Sequence, residues 1–436
     1  MRRFLSGLVC LVLMLFIPGL VFGKTVLNWF APMSAGPELD IWQELIKEYE
    51  KEHPDIEVKL SVEPWNDYWT KIATMFAGGQ HPDLCWMHYS RWKDYAELGA
   101  IMPLDSFLAK DKELKKSVFP RVLIEMFTHK GKLYGIPKDH GGTAVIWYNI
   151  DKFKEAAVRL PWPQWTWKDF LSMAQKLTRD TNGDGVIDQW GTSSFITQLS
   201  GFWHERGWVM IKNFGGDTYT DDFKDTLIDH PKTIEAIQFA VDLTNKYKVA
   251  AKAEDIAGLG PPFRIGKVAM LPFAHASEGF YIRYEKRPIK EYGVEFLPRG
   301  DGGQWQTAGS TAFAIPTKSA HPKEAWEFIK WAVSEKVQRR FAEHYRWGEC
   351  RADMIGLRFK LQVEAGINIE RNWKRVWIDA FHYSNCKPIK VPAGALEINT
   401  VLNTYFDPVV LGKKTAAEAA KEAKPYIQEI LKKFYK

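Results

Sequence analysis

Short apolar stretches of two different periods alternate along this chain, and that alternation constrains its fold more than any other feature. KTVLNWF, from residue 24, places Val26, Leu27 and Trp29 in a strand-like run. In DIWQELIKEYEKEHP the apolar residues recur at helical spacing, so that Ile41, Trp42, Leu45, Ile46 and Tyr49 form one stripe that stops before Pro54. IEVKLSV alternates as a strand, and WTKIATMFAGG reads as a helix closed by Gly78 and Gly79. HPDLCWM follows as a buried strand and YAELGA as a short helix. Strands and helices joined by loops of a few residues predict an α/β layer architecture of the parallel type.

The pattern returns twice. GTAVIWYN is strand-like, and TWKDFLSMAQKLT is a helix opened by Thr166 with Asp169 three residues on, a variant capping box. HPKTIEAIQFAVDLTNKY predicts a long amphipathic helix and KVAMLPF a strand. STAFAIPTKSAHPKEAWEFIKWAV gives a strand and then a helix with Pro322 in its first turn. The C-terminus is helical, with a second capping box at Thr415 and Glu418. No low-complexity linker and no solenoid period interrupts these blocks, so 436 residues are read as one body of two α/β lobes.

The first residues bound the compartment. Arg2 and Arg3 precede LVCLVLMLFIPGLVFG, with Pro18 just before small residues around Gly23, the pattern of a secretory signal peptide over 1–23. Cys10 lies inside that segment, preceded by Val9 where a lipid-anchored export signal has a small residue, so it is read as discarded. No later stretch is apolar enough to span a bilayer. Losing Arg2 and Arg3 lowers the formal charge from +6 to +4, and the charges are interspersed, which disfavours nucleic acid. Cys85, Cys350 and Cys386 are widely spaced and odd in number, which argues against a disulfide framework or a clustered zinc site. One pair, or three buried thiols, remains open. Nineteen tryptophans suggest a flat, partly apolar ligand such as a sugar ring, set against the alternative that most of them are core.

One segment, DTNGDGVIDQWG, has the look of a calcium loop. Asp180, Asn182, Asp184 and Asp188 fall at positions 1, 3, 5 and 9, the carbonyl of Val186 at 7, and Gly185 at the turn position 6. Position 12, where a bidentate Glu belongs, is Gly191. A structural Ca2+ clip and a hydrophilic Asn-Gly/Asp-Gly turn are both compatible with it.

Four stretches in order carry a family resemblance: ELIKEYEKEHPDIEVKLSV, FAGGQHPDLCWM, GIPKDHGGTAVIWYNIDKFKEA running into TWKDFLSMAQKLT, and AFAIPTKSAHPKEAWEFIKWAVSE. Together they resemble the solute-binding proteins of bacterial carbohydrate ABC transporters, the group that includes maltose-binding protein. The resemblance covers nearly the whole mature chain. It implies a two-lobed, type II periplasmic-binding-protein-like α/β fold with a ligand cleft between lobes and hinge crossovers. The lobes would comprise 24–138 with 306–345, and 139–305 with 346–436. It further implies an exported monomer of the periplasm or outer cell face that needs no cofactor. Such a protein captures a sugar without breaking bonds, closes by hinge motion and is then read by a membrane permease. Aspartate-rich loops at the place of 180–191 hold calcium in some members.

Ligand contacts are expected in loops at strand ends. The first lobe offers Trp65, Tyr89, Arg91 and Trp92; the crossover, Asp139 and His140 beside a Gly pair; the second lobe, Trp203 and His275. The return offers Trp305, Gln306 and Ser310, and HYRWGECRAD offers Arg346, Trp347 and Arg351. Trp305, flanked by Gly and Gln outside any apolar period, is read as a stacking platform. Arg346 and Arg351, if both face the cleft, suit an acidic sugar. A secreted glycoside hydrolase is the rival enzyme class, although the HExxH and GxSxG patterns are absent. A glycerophosphodiester or peptide binder is the nearer rival.

Overall fold

The computed structural model describes residues 23–140, 144–196, 203, 206–252, 254–256, 262–274, 291–344, 349–364, 372–382 and 385–436. The leader, apart from Gly23, lies outside them, as do His275, Arg346 and Trp347.

Two five-stranded sheets organise the chain. In the first, β1 (Thr25–Pro32) lies parallel to β2 (Ile56–Glu63) over its whole length, from Thr25↔Ile56 to Pro32↔Glu63. It also pairs in parallel with β3 (Leu84–His88). The far side is completed by short strands that return from the middle and later chain: β4 (Ile136–Pro137), and β11 (Thr311–Ala314), which runs antiparallel to β3 with Thr311 opposite His88. The Pro37–Glu52 helix buries Ile41, Trp42, Leu45, Ile46 and Tyr49, the five residues of the sequence stripe. Of these, Trp42 meets Trp29 and Trp86 from the sheet, edge-on to Trp29 at 4.8 Å between ring centroids. Edge-to-face packing of this kind adds to the area that the rings bury.

The second sheet has the order β9 (Tyr292–Phe296), β5 (Ala144–Asn149), β8 (Val268–Ala274), β6 (Trp190–Ser193), β7 (Ala250–Ala251). All six residues of β5 are buried, as expected of a strand covered on both faces. One face meets the helices Trp167–Leu177, Arg206–Phe214 and Pro231–Asn245; Trp147, Val294 and Phe296 on the other meet Phe359, Val376 and Trp377. Both capping boxes form: Thr166 Oγ1 accepts the Asp169 N–H at 3.2 Å while the Asp169 carboxylate accepts the Thr166 N–H, and Thr415 with Glu418 repeats the arrangement. The helices Ala395–Val410 and Ala416–Phe434 pack on Pro231–Asn245.

The connections between the sheets are short. One leads from β4 to β5, and another from β9 to β11 by way of β10 (Gln306–Thr307). That strand pairs in parallel with β12 (Cys386–Lys387) to make a two-stranded ribbon. Cys85, Cys350 and Cys386 are all buried free thiols, and burial raises the thiol pKa of Cys386 to about 12.

Most of the tryptophans turn out to be structural. Trp29, Trp42, Trp92, Trp147, Trp165, Trp208 and Trp377 are almost wholly enclosed, and among the described tryptophans Trp65 alone is exposed, at 41%. The surplus that suggested flat ligands is therefore mainly core.

Candidate functional site

The C-terminal ends of β2 and β3 and the start of β11 share one edge of the first sheet, because β11 is antiparallel to β3. Its register brings distant residues together. Tyr89 N–H donates to the Ser310 carbonyl (3.2 Å), and Lys138 N–H to the Thr311 carbonyl (2.9 Å).

Trp65 does not lie in a loop, as the sequence suggested. It opens the Trp65–Ala77 helix, with Pro64 at its cap and Asp67 in the first turn, where a carboxylate complements the helix dipole. Its exposed indole is held by edge contacts to Trp69 at 5.3 Å and His88 at 5.0 Å. Tyr89 is buried beside His88, at 4.0 Å between rings. The Arg91 guanidinium lies 4.9 Å above the Trp69 ring, and its burial holds it below the usual guanidinium range. These five residues form one aromatic and cationic patch. Trp69 and His88 were missed as candidates; the i, i+4 spacing of Trp65 and Trp69 was the available signal.

Three other first-lobe and crossover candidates serve the framework. Trp92 is packed against Phe127, His129 and Tyr134 at 5.9–6.3 Å and offers no free ring face. Asp139, 4% exposed, accepts from Thr311 N–H (2.8 Å), Thr311 Oγ1 (2.6 Å) and Lys138 Nζ (2.6 Å), while its own carbonyl accepts from Ser310 Oγ at 2.6 Å. Asp139 and Ser310 thus fasten the crossover to β11. Lys138, also missed from sequence, is buried between Asp139 and the Trp86 ring, 3.9 Å away.

His140 is buried edge-on to Phe381 at 5.0 Å, and burial, with Arg358 adding to it, pushes its pKa down to about 3. A neutral imidazole is what this position holds.

On the other lobe, Trp203 is buried against Phe406. Trp305 is half-buried and pinned: its backbone N–H donates to Asn213 Oδ1 (2.6 Å), its Nε1 to the Gly302 carbonyl (2.9 Å), and Lys212 Nζ lies 4.3 Å over the ring. The ammonium covers part of the face that stacking would need. Gln306, on the β10–β12 ribbon, is 1% exposed, and neither amide atom has a hydrogen-bond partner among the described residues. A buried amide left in this state calls for a partner from outside the framework. Arg351 is engaged by Asp353 through two contacts of 3.1 Å, so the charge pair expected from Arg346 and Arg351 reduces to a local ion pair on the described side.

The 180–191 loop closes on itself. Asp180 accepts the N–H groups of Asn182, Gly183 and Gly185, which lowers its pKa; Asp184 accepts from Val186 N–H, and Asp188 from Thr181 N–H and Oγ1. Gly183 and Gly185 take the positive φ that these turns require, +79° and +87°. Gly191 cannot give way to the missing Glu. A Cβ there would sit 2.0 Å from the Ala174 carbonyl oxygen, because the Trp167–Leu177 helix packs directly on β6. Among the described residues no three His, Cys, Asp or Glu side chains gather as a metal cage. Asp180, Asp184 and Asp188 are thus engaged by the loop's own N–H and O–H groups, and position 12 offers no carboxylate.

Comparison with known proteins places the chain. The model of the bacterial extracellular solute-binding proteins matches residues 35–339. The arabinooligosaccharide-binding protein of Bacillus subtilis is 24% identical over 350 residues, covering 74% of this chain and 75% of its own. The maltotriose-binding protein of Pyrococcus abyssi is 26% identical over 67% of this chain and 59% of its own. Among solved structures, a substrate-binding protein of Listeria monocytogenes in complex with cycloalternan superposes with a TM-score of 0.78, at 24% identity over 94% of this chain and 99% of that one. A family model that spans more than half of the sequence shows the family, and the superposition shows a shared fold: the chain belongs to the bacterial extracellular solute-binding proteins.

Proposed function

We propose that this protein is exported, captures an oligosaccharide or modified sugar between its two lobes, and delivers it unaltered to the permease of an ABC transporter. The observation that carries the reading is the patch at the sheet edge: an exposed indole, Trp65, fixed by Trp69 and His88 beside Arg91. An immobilised indole presents a flat face to the C–H side of a pyranose, and adjacent N–H donors take its hydroxyls. Gln306 supplies a second polar group, on the ribbon between the sheets.

The lobes in this reading are 24–138 with 306–345 and 139–305 with 346–436, and the leader 1–23 is removed on export. The mature chain acts as a monomer without cofactor or bond-breaking step. Among the described residues no helix is long and apolar enough to cross a membrane. The 180–191 loop is a self-closed turn, and calcium is not required. Tyr89, Trp92 and Ser310 shape the first-lobe wall, and Asp139 and His140 the crossover, without stacking on the ligand.

Intrinsic tryptophan fluorescence, titrated with neutral and acidic oligosaccharides and followed by recovery of the sugar, tests this. A saturable change with intact sugar is expected. Cleaved sugar would move the protein to the hydrolases.

A further inference from the structure

The sequence placed an anion clamp at Arg346 and Arg351; Arg351 is taken by Asp353, and the described residues put a cation without a direct ion pair elsewhere. Arg91 is half-buried, and among the described residues its guanidinium makes no hydrogen bond and no ion pair. The nearest acid on its own helix, Asp94, turns its carboxylate to the Gly394 N–H and attracts the Arg91 charge only through space, without a direct contact. What Arg91 does contact is the face of Trp69, at 4.9 Å, and that same ring carries Trp65 at 5.3 Å. A guanidinium held over an indole face by its charge keeps its N–H groups available for the fork that matches a carboxylate. Stripping water from a cation without supplying a counter-charge costs free energy, and hydroxyl groups can satisfy the N–H donors but not the charge.

Resting on the sugar-binding reading above, we infer that the ligand bears a carboxylate, as a uronic acid does, and that Arg91 reads it while Trp65 stacks on the same or the adjoining sugar ring. The common neighbour Trp69 keeps both groups within reach of one end of an oligosaccharide. Burial of Arg91, which already disfavours its charged form in the free protein, is then compensated when the ligand arrives, so charge recognition and lobe closure favour the same state.

The test uses the full mature chain and three acidic probes: trigalacturonate, trimannuronate and glucuronoxylotriose, each paired with its own methyl ester. The ester keeps the sugar skeleton and removes only the charge. Maltotriose, mannotriose and arabinotriose serve as neutral references, and binding is read by calorimetry. The expected result is that at least one acid binds about 10–100-fold more tightly than its ester. Arg91→Gln then brings that ratio to within about threefold, Arg91→Lys keeps part of it, and the unfolding midpoint does not move. Binding of neutral sugars with no acid preferred over its ester would overturn the inference and leave the sugar reading intact. An acid preference that survives Arg91→Gln would overturn the role of Arg91. Silence of all nine sugars would remove the carbohydrate reading and this inference with it.

Discussion

Replacing Gly191 with Ala tests directly how tightly the Trp167–Leu177 helix packs on the end of the acidic loop. The added Cβ would stand 2.0 Å from the Ala174 carbonyl oxygen, 2.5 Å from its Cα and 2.6 Å from its carbonyl carbon, where ordinary contact begins near 3.4 Å. All three obstacles are helix backbone, so no rotamer change relieves them; β6 and the Trp167–Leu177 helix must separate by about 1 Å, opening the packing around Phe170, Ala174 and Leu177. The Gly191 N–H would also be drawn from Thr178 Oγ1, now 2.9 Å away. Overpacking that side chains can absorb costs about 1–3 kcal/mol, and a clash with fixed backbone belongs at or above that range, at about 3–5 kcal/mol. Gly183→Ala is the matched control: the space around it is open, and only its φ of +79° penalises the change, by about 1–2 kcal/mol. Urea unfolding of the two variants, followed by circular dichroism, measures the difference. If Gly191→Ala lost no more stability than Gly183→Ala, the argument from helix contact would be wrong. The same contact predicts that Gly191→Glu, which completes the calcium-loop pattern on paper, lowers the melting temperature in millimolar calcium instead of raising it.

Other consequences are equally open to measurement. Trp65→Ala should weaken sugar binding by about 1–3 kcal/mol, and Trp305→Ala by less, since Lys212 already occupies its face; a larger loss at Trp305 in calorimetry would reverse their roles. Asp139→Asn should cost about 2–3 kcal/mol of stability, because Lys138 would keep only its longer contact to Glu38, at 3.7 Å; a loss under about 1 kcal/mol in urea unfolding would refute that. His140, with its folded pKa near 3 against an ordinary 6.5, stays neutral while the unfolded chain takes up a proton. The unfolded state therefore binds more protons below pH 6.5, and stability falls with decreasing pH between 6.5 and 3, by at most about 1.4 kcal/mol per unit from this site. His140→Gln should flatten that slope, and identical slopes in variant and parent would rule the imidazole out.

Periodicity carried the secondary structure because it is local. The stripe from Ile41 to Tyr49 and the Thr166–Asp169 box each need only a few consecutive residues, and both form as read. The site is assembled differently. His88 faces Thr311 across a strand pair, and Asp139 reaches Thr311 from 172 positions away, so no window of sequence contains the edge they build. Composition failed for a related reason: a tryptophan count does not say which indoles face a helix and which face water, and here Trp29, Trp42 and Trp86 fill a core while Trp65 does not.

The two arginines Arg91 and Arg351 show what separates a cation paired within its loop from one left without a direct pair. Both sit beside polar residues in sequence, in SRW and ECRAD. Arg351 has Asp353 two residues on, close enough to fold back into a two-point ion pair, so its charge is spent within the loop. Arg91 has Asp94 three residues on, an acid just as near in sequence, but the helix that starts at Trp92 carries Asp94 to the backbone of Gly394 instead. Local spacing sets up both pairs equally, and a contact from 300 positions along the chain removes one of them. A cation is left without a direct ion pair where tertiary structure has claimed the acid nearest to it, and that outcome is legible in the folded protein and not in its sequence.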